Sequence, residues 1–367
     1  MSSPQLSWDI ATGYDMFMSL DVLHNPEKFG LRPAWAAGVR SRLPVAERDL
    51  LQQVQKTFFK GIFYWIHTLP PPKDGRMVLE VLEEIPPAHR LSTSLFYPAM
   101  PAAVKEVFEQ VIARQRWDEE DQKVIRTMLK DEQLTRKDTI DILEVVVHFK
   151  NMGELYLSAL RTYYQVFFAE EESRIRPALE AAVSRTQTLT RRLELSDLLA
   201  EITEGFHFAE GLKVSELILV PSFWITPLVA YTQISPEQML FLFGARPPDA
   251  SLVPGEVVPD ALFLALKALA DPTRLRILRY LTAEPLTPVQ LSRRLRLRAP
   301  TVVHHLRALR LAGLVHLTLE AGRKVHYTAR PEAVTTMAAA LQNFLKADLN
   351  FPEVPKLPSL SDSTDAR

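Results

Sequence analysis

The chain of 367 residues contains no cysteine and only 12 glycines. Without thiols it cannot form disulfides, thiolate metal sites or iron–sulfur clusters, and the low glycine content excludes a collagen-like chain. The most apolar stretch, Leu217 to Tyr231, is too short to span a bilayer and is interrupted by Pro221 and Pro227. The N terminus lacks the basic and apolar segments of a secretion signal. These absences predict a cytoplasmic chain with no membrane partner.

Charged residues are unevenly distributed, although the formal net charge is only −1. Residues 1–259 carry 27 Lys and Arg against 35 Asp and Glu, whereas residues 260–350 carry 14 against 6. Between Thr287 and Arg330, nine Lys or Arg residues accompany a single acid, Glu320. A local excess of this size is typical of a surface that binds a polyanion. A solvated basic face is the alternative.

Hydrophobic periodicity predicts a mainly α protein. Helical spacing runs through most of the first 200 residues, including Ala46–Lys60 and Gly153–Phe168. Between residues 214 and 243, β-branched and apolar runs separated by a Ser-Pro turn predict that the N-terminal domain ends in a small antiparallel sheet. The segment from Gly244 to Pro259 contains four prolines and two glycines and is expected to be a linker.

The C-terminal region has the signals of a winged helix-turn-helix. Thr287 and Gln290 form a capping-box pattern at the start of a short helix, and the next helix begins near Ala299 after a turn of three or four residues. Two alternating segments at 314–319 and 323–328 predict a β hairpin, the wing. We therefore divide the chain into a mostly helical domain (1–244), a linker (245–259), a winged-helix domain (260–349) and a flexible tail (350–367).

The helix that begins near Ala299 has one apolar stripe. Val302, Leu306 and Leu309 recur at steps of four and three, which predicts the buried side. His304 and Arg307 fall on the opposite side, so we expect them to face outward.

Four segments of this region together resemble the ArsR (arsenic-repressor-like) transcriptional regulators. They are LADPTRLRIL at 269–278, PTVVHHL at 300–306, GLV at 313–315 and GRKVHY at 322–327. The resemblance implies a homodimer that binds double-stranded DNA, with the helix after Arg298 in the major groove and the wing along the flanking backbone. It places Ala299, Thr301, Val303 and His304 at base-facing or phosphate-facing positions.

The expected site residues follow from this resemblance and from the basic charge. The residues expected to contact DNA are Arg293, Arg294, Arg298, Ala299, Thr301, Val303, His304, Arg307, Arg310, Arg323 and Lys324. The residues expected in the dimer contact, on the first and last helices of the domain, are Leu262, Phe263, Leu266, Leu269, Met337, Leu341 and Leu345.

The chain departs from the family at two points. Ala299 and Val303 stand where the family usually has polar residues, and an apolar side chain can touch a thymine methyl but cannot read bases by hydrogen bonding. The cysteines and the His and Asp/Glu pairs of the family's metal sensors are missing, so we expect no metal site and no cofactor. The candidate effector is a small apolar ligand or a partner that binds the N-terminal domain. The aromatic clusters at 58–65 and 156–168 are expected to be mostly core, and an apolar ligand pocket among them is the alternative.

The sequence thus predicts a transcriptional regulator, expected to be a repressor, and not an enzyme. No Gly-rich phosphate loop, Walker lysine, His-Glu-x-x-His or Gly-x-Ser-x-Gly motif occurs. The alternative is an enzymatic N-terminal domain, with the winged helix serving only dimerisation or protein interaction.

Overall fold

The structure, a computed structural model, describes residues 4–129, 135–209, 212–320 and 324–346. It is mainly α-helical, which confirms the fold class expected from the sequence. The tail expected at 350–367 lies outside the described residues.

The N-terminal helices pack around α1, which is buried on all sides from Thr12 to Leu23. Capping boxes start two of the others, at Asp118 and at Thr135. A π-helical turn at Tyr164–Phe168 joins α9 to α10. The helices are α1 (Thr12–His24), α2 (Pro33–Arg40), α3 (Val45–Thr68), α4 (Gly75–Glu84), α5 (Arg90–Leu95), α6 (Ala102–Arg114), α7 (Glu119–Met128), α8 (Arg136–Val147), α9 (Phe149–Tyr163), α10 (Ala169–Leu189) and α11 (Leu195–Ile202).

A four-stranded sheet lies against these helices, and it is mixed rather than antiparallel as expected. Its strands are β1 (Gln5–Trp8), β3 (Glu216–Ser222), β4 (Ala230–Gln233) and β5 (Gln238–Gly244), in the order β1-β3-β5-β4. The β4–β5 pair, joined by a short turn, is antiparallel, but β3 pairs in parallel with both β1 and β5. The expectation failed because β3 pairs in parallel with β5, which follows β4 in the chain, and with β1 from the distant N terminus, and neither pairing leaves a local signal in the sequence.

Residues 245–259 contain no helix or strand, yet they pack against the N-terminal core. Leu252 is buried, and the Arg246 side chain, which is 5% exposed, places its Nη1 3.2 Å from Oδ2 of Asp260. Asp260 also accepts hydrogen bonds from the Ser251 hydroxyl and from the Leu252 amide. The segment expected to be a linker therefore packs against the N-terminal core through Leu252 and is held to Asp260 by an ion pair and hydrogen bonds.

The C-terminal region has a separate hydrophobic core, formed by residues from Ala268 to Val315. Its elements are α12 (Asp260–Leu269), α13 (Pro272–Ala283), α14 (Pro288–Leu295), α15 (Ala299–Leu311), β6 (Val315–Leu319), β7 (Val325–Ala329) and α16 (Pro331–Lys346). The β6–β7 hairpin is antiparallel, and Leu286 forms a single bridge to Tyr327 on the outer side of β7. On the outer side of β6 lies β2 (Phe206–Phe208), which belongs to the N-terminal region and pairs in parallel.

Candidate nucleic-acid interface

Helices α14 and α15 form the helix-turn-helix. The Thr287 side chain accepts from the Gln290 amide at 3.2 Å, and the Gln290 side chain accepts from the Thr287 amide at 2.8 Å, so both members of the capping box are in place. Arg296 adopts the left-handed conformation (φ 56°) and ends α14. The next helix begins at Ala299, which matches the short turn expected from the sequence.

The burial pattern of α15 decides which side chains can reach a partner. Val302, Leu306 and Leu309 are buried in the C-terminal core. Because these residues occupy one side of the helix, side chains on the opposite side are left exposed by the described part of the chain. The residues on α15 that are expected to contact DNA and that the structure leaves exposed are Ala299, Thr301, Val303, His304 and Arg307.

Basic side chains surround this exposed face. Arg293, Arg294 and Arg298 are exposed on α14 and in the turn before α15. Arg294 is partly neutralised, since its Nη1 lies 2.7 Å from Oε1 of Glu284. Lys324 is exposed directly before β7, and Arg323 beside it lies outside the described residues. The cations are thus arranged along the helix-turn-helix and at the described end of the hairpin.

The expectation that Arg310 contacts a DNA phosphate was wrong. The Arg310 side chain is buried, with 5% of the residue exposed. The guanidinium donates to the carbonyl oxygens of Thr203 (2.8 Å), Glu204 (3.0 Å) and Pro227 (3.2 Å). Burial lowers the pKa of Arg310 to about 10, so the group is still a cation at neutral pH. Its donors are directed into the N-terminal domain and not toward a ligand in solvent.

The sequence contained a signal for the position of Arg310. Arg310 follows Leu306 by four residues and Val302 by eight, and these are the spacings of the buried stripe. The contribution of β2 to the hairpin sheet had no comparable signal, because Phe206 and its partner Leu317 are far apart in the chain.

His305, beside the exposed His304, is half-buried. The two rings are 6.0 Å apart, and Nδ1 of His305 is buried without a hydrogen-bond partner. Burial lowers the pKa of His305, so its ring is neutral at physiological pH. The two adjacent rings therefore differ in environment, because His304 is exposed to solvent and His305 is half-buried.

The residues expected in a dimer contact divide into an interior and an exposed group. Leu262 is buried within its own chain, so it is not part of the exposed face. Leu269, Met337 and Leu341 are half-buried. The exposed group consists of Phe263 (47%), Leu266 (40%) and Leu345 (73%), together with Val334 (43%) on the same helix as Leu345. Helices α12 and α16 contact each other, and no described residue of α16 is fully buried.

Aromatic residues that were considered as the lining of an effector pocket form part of the hydrophobic core. Phe63, Tyr163 and Phe168, from the aromatic clusters, are buried in the N-terminal core. A separate open cavity of about 600 Å³ lies between α3, α8 and α9. Its lining includes the carboxylates of Asp49 and Glu144, so it differs from the apolar pocket that the sequence suggested.

The described ranges contain neither a metal-ligand cluster nor a helix that could cross a membrane. No group of three or more His, Asp or Glu side chains is placed to hold a metal ion. No helix in these ranges is both long enough and apolar enough to cross a membrane.

Comparison with known proteins supports the helix-turn-helix. A family model described as a helix-turn-helix domain, which is grouped with the ArsR-like families, matches residues 269–318. No curated protein and no solved structure matched the chain. The matched range contains α14 and α15 with all their exposed cations, and it indicates a DNA-binding regulator.

Proposed function

We propose that the protein is a transcriptional regulator that binds double-stranded DNA as a homodimer. Helix α15 is the recognition helix and enters the major groove, and the β6–β7 wing follows the flanking backbone. The proposal rests on the division of α15 into a buried apolar side and an exposed side. The exposed arginines Arg293, Arg298 and Arg307 belong to this helix-turn-helix. The protein acts where DNA is found, and we expect it in the cytoplasm.

Base recognition rests on few side chains. Thr301 and His304 are exposed and carry groups that can hydrogen-bond base edges, whereas Ala299 and Val303 can make only apolar contacts. We therefore expect sequence preference to depend partly on the shape and deformability of the DNA. The arginines and Lys324 contact phosphates and set the register of the complex.

A second copy of the chain completes the site. The exposed apolar residues of α12 and α16 lie on one pair of contacting helices, and covering them would bury Phe263, Leu266 and Leu345. A two-fold dimer would present two recognition helices to half-sites about 34 Å apart, which is one turn of DNA.

An effector that binds the N-terminal domain and represses or releases DNA binding stays a prediction. The cavity between α3, α8 and α9 does not have the apolar lining that this prediction calls for, because Asp49 and Glu144 line it. No observation within the described residues favours the alternative, an N-terminal enzyme with the winged helix as an interaction module.

The test is a DNA-binding titration at several salt concentrations, with duplexes first selected from a random library. Five of the cations expected to contact DNA are exposed in each protomer, namely Arg293, Arg294, Arg298, Arg307 and Lys324. They give up to about ten phosphate contacts in a dimer, so affinity should fall by about 10³–10⁵ between about 50 and 200 mM salt. Arg307→Ala should weaken binding and make the salt dependence shallower, because it removes a phosphate contact. Arg76→Ala, an exposed arginine on α4, is the matched control and should bind normally.

A full-length chain that recovers no duplex at low salt contradicts the proposal. A salt dependence that is flat, or that Arg307→Ala leaves unchanged, contradicts the assignment of α15 as the DNA-binding helix. In either case the winged helix would be an interaction module instead.

A further inference from the structure

Arg310 joins the C-terminal end of α15 to the N-terminal domain. Its three acceptors are backbone carbonyls of Thr203, Glu204 and Pro227, two separate parts of that domain. Arg307, one turn earlier on the same helix, is exposed. The two arginines therefore have different roles, although they are close in sequence and share the same charge.

The segment that receives Arg310 has a specialised backbone. Glu204 (φ 54°) and Gly205 (φ 101°) are consecutive residues in the left-handed region, which is rare outside glycine. The Thr203 hydroxyl donates to the Leu199 carbonyl at 2.5 Å and accepts from the Phe206 amide at 3.0 Å. These contacts hold the carbonyls of Thr203 and Glu204 toward the guanidinium, whose planar set of donors suits several acceptors.

The same segment continues into the wing. The Leu317 amide donates to the Gly205 carbonyl at 2.8 Å, and the Ala209 amide donates to the Leu319 carbonyl at 2.9 Å. The side chains of Leu317 and Leu319 pack against the N-terminal core. The outer edge of β6 is thus covered by the N-terminal domain. Residues 203–209, which we call the coupling segment, contact both the recognition helix and the wing.

We propose that Arg310 is a positioning residue that, through the coupling segment, holds the recognition helix and the wing at the angle DNA binding requires. The inference rests on the proposed function, since the angle matters only if both elements contact DNA. Groove contacts from α15 and backbone contacts from the wing must be made together, so a change in their angle weakens binding. A displacement of the coupling segment would reach both DNA-binding elements at once.

The first experiment separates positioning from phosphate contact by salt dependence. Arg310→Met and Arg310→Lys are compared with Arg307→Met in the full-length chain, with a duplex selected by the wild-type protein. We expect both Arg310 variants to bind about tenfold or more weakly with an unchanged salt slope, because no phosphate contact is lost. Arg307→Met should lower the slope by about 1 per protomer. Arg310 variants that bind like wild type, or that lower the slope as Arg307→Met does, overturn the inference.

The second experiment alters the coupling segment at Gly205, where it contacts the wing, and measures hydrogen exchange as well as DNA affinity. A Cβ at Gly205 would lie 2.4 Å from Nδ1 of His316 on β6, whereas a Cβ at Gly255 (φ 76°) meets nothing within 4 Å. Both glycines have a positive φ, so each alanine strains the backbone, but only Gly205→Ala also disturbs the contact with the wing. We expect Gly205→Ala and Arg310→Met to raise hydrogen exchange at the Leu317 and Ala209 amides about tenfold or more.

The results distinguish the two proposals. A wild-type chain that selects no duplex overturns the proposed function. If the wild type binds and Gly205→Ala matches Gly255→Ala in both exchange and affinity, only the positioning role fails. Should Arg310→Met not fold, Gly205→Ala and Arg310→Lys decide the outcome by the same two measurements.

Discussion

Replacing Leu345 with glutamate tests whether α12 and α16 form the dimer contact. Leu345 is 73% exposed in the single chain, the largest exposed fraction among the apolar residues of these helices. Full burial of a leucine side chain stabilises a complex by about 1.5–3 kcal/mol. Covering the exposed part of Leu345 should therefore contribute about 1–2 kcal/mol in each protomer.

The expected loss follows from symmetry. A two-fold dimer contains the site twice, so Leu345→Glu removes about 2–4 kcal/mol of association free energy, before the cost of desolvating two carboxylates is added. Because about 1.4 kcal/mol corresponds to a tenfold change, the dimer Kd should rise about 30-fold or more.

Sedimentation velocity over a range of concentrations measures this Kd. Val289→Glu is the matched control, since Val289 is 53% exposed but lies on α14, away from the two helices. We expect the control to dimerise like the wild type. Equal Kd values for Leu345→Glu and Val289→Glu would refute the assignment of this surface, and a wild-type chain that stays monomeric at about 100 µM would refute the dimer itself.

Two further predictions concern buried polar groups. Asp15→Ala leaves the Ser222 hydroxyl and the Phe223 and Trp224 amides, now 2.6, 3.2 and 3.1 Å from the carboxylate, without this acceptor. We expect the free energy of unfolding to fall by about 3 kcal/mol or more in urea denaturation, and a fall below about 1 kcal/mol would contradict this account. Burial lowers the pKa of both His207 and His316, whose rings face each other between β2 and β6. The unfolded chain therefore takes up protons first as the pH falls below about 6.5, and native stability is lost in that direction. The protection factor of the Leu317 amide, which is the exchange rate of an unstructured amide divided by the rate observed at the same pH, should be lower at about pH 5.5 than at about pH 7.5, and the decrease should be smaller in His316→Gln; the same pH dependence in both chains would contradict the prediction. The charged groups near this pair are Asp197, Arg310, Arg330 and Glu332.

Local signals in the sequence were sufficient for much of the C-terminal region. The capping box at Thr287 and the stripe of Val302, Leu306 and Leu309 predicted both helices of the helix-turn-helix and the exposed side of α15. These features depend on hydrogen bonds and spacings within a few residues, so they can be read without knowledge of the rest of the fold. The outward position of His304 followed from the same spacing.

Contacts between segments that are far apart in the chain were decided by the tertiary structure. The sequence predicted Arg310 as a surface cation because its charge was counted together with that of its neighbours, but the carbonyls that surround it come from Thr203, Glu204 and Pro227. In the same way, the parallel pairing of β3 with β5 and with β1 made the expected antiparallel sheet a mixed one, and β2 attached the wing to the N-terminal domain. Helix capping and amphipathic spacing are local properties of this sequence, whereas parallel strand pairing and the burial of a cation depend on which distant segments the fold brings together.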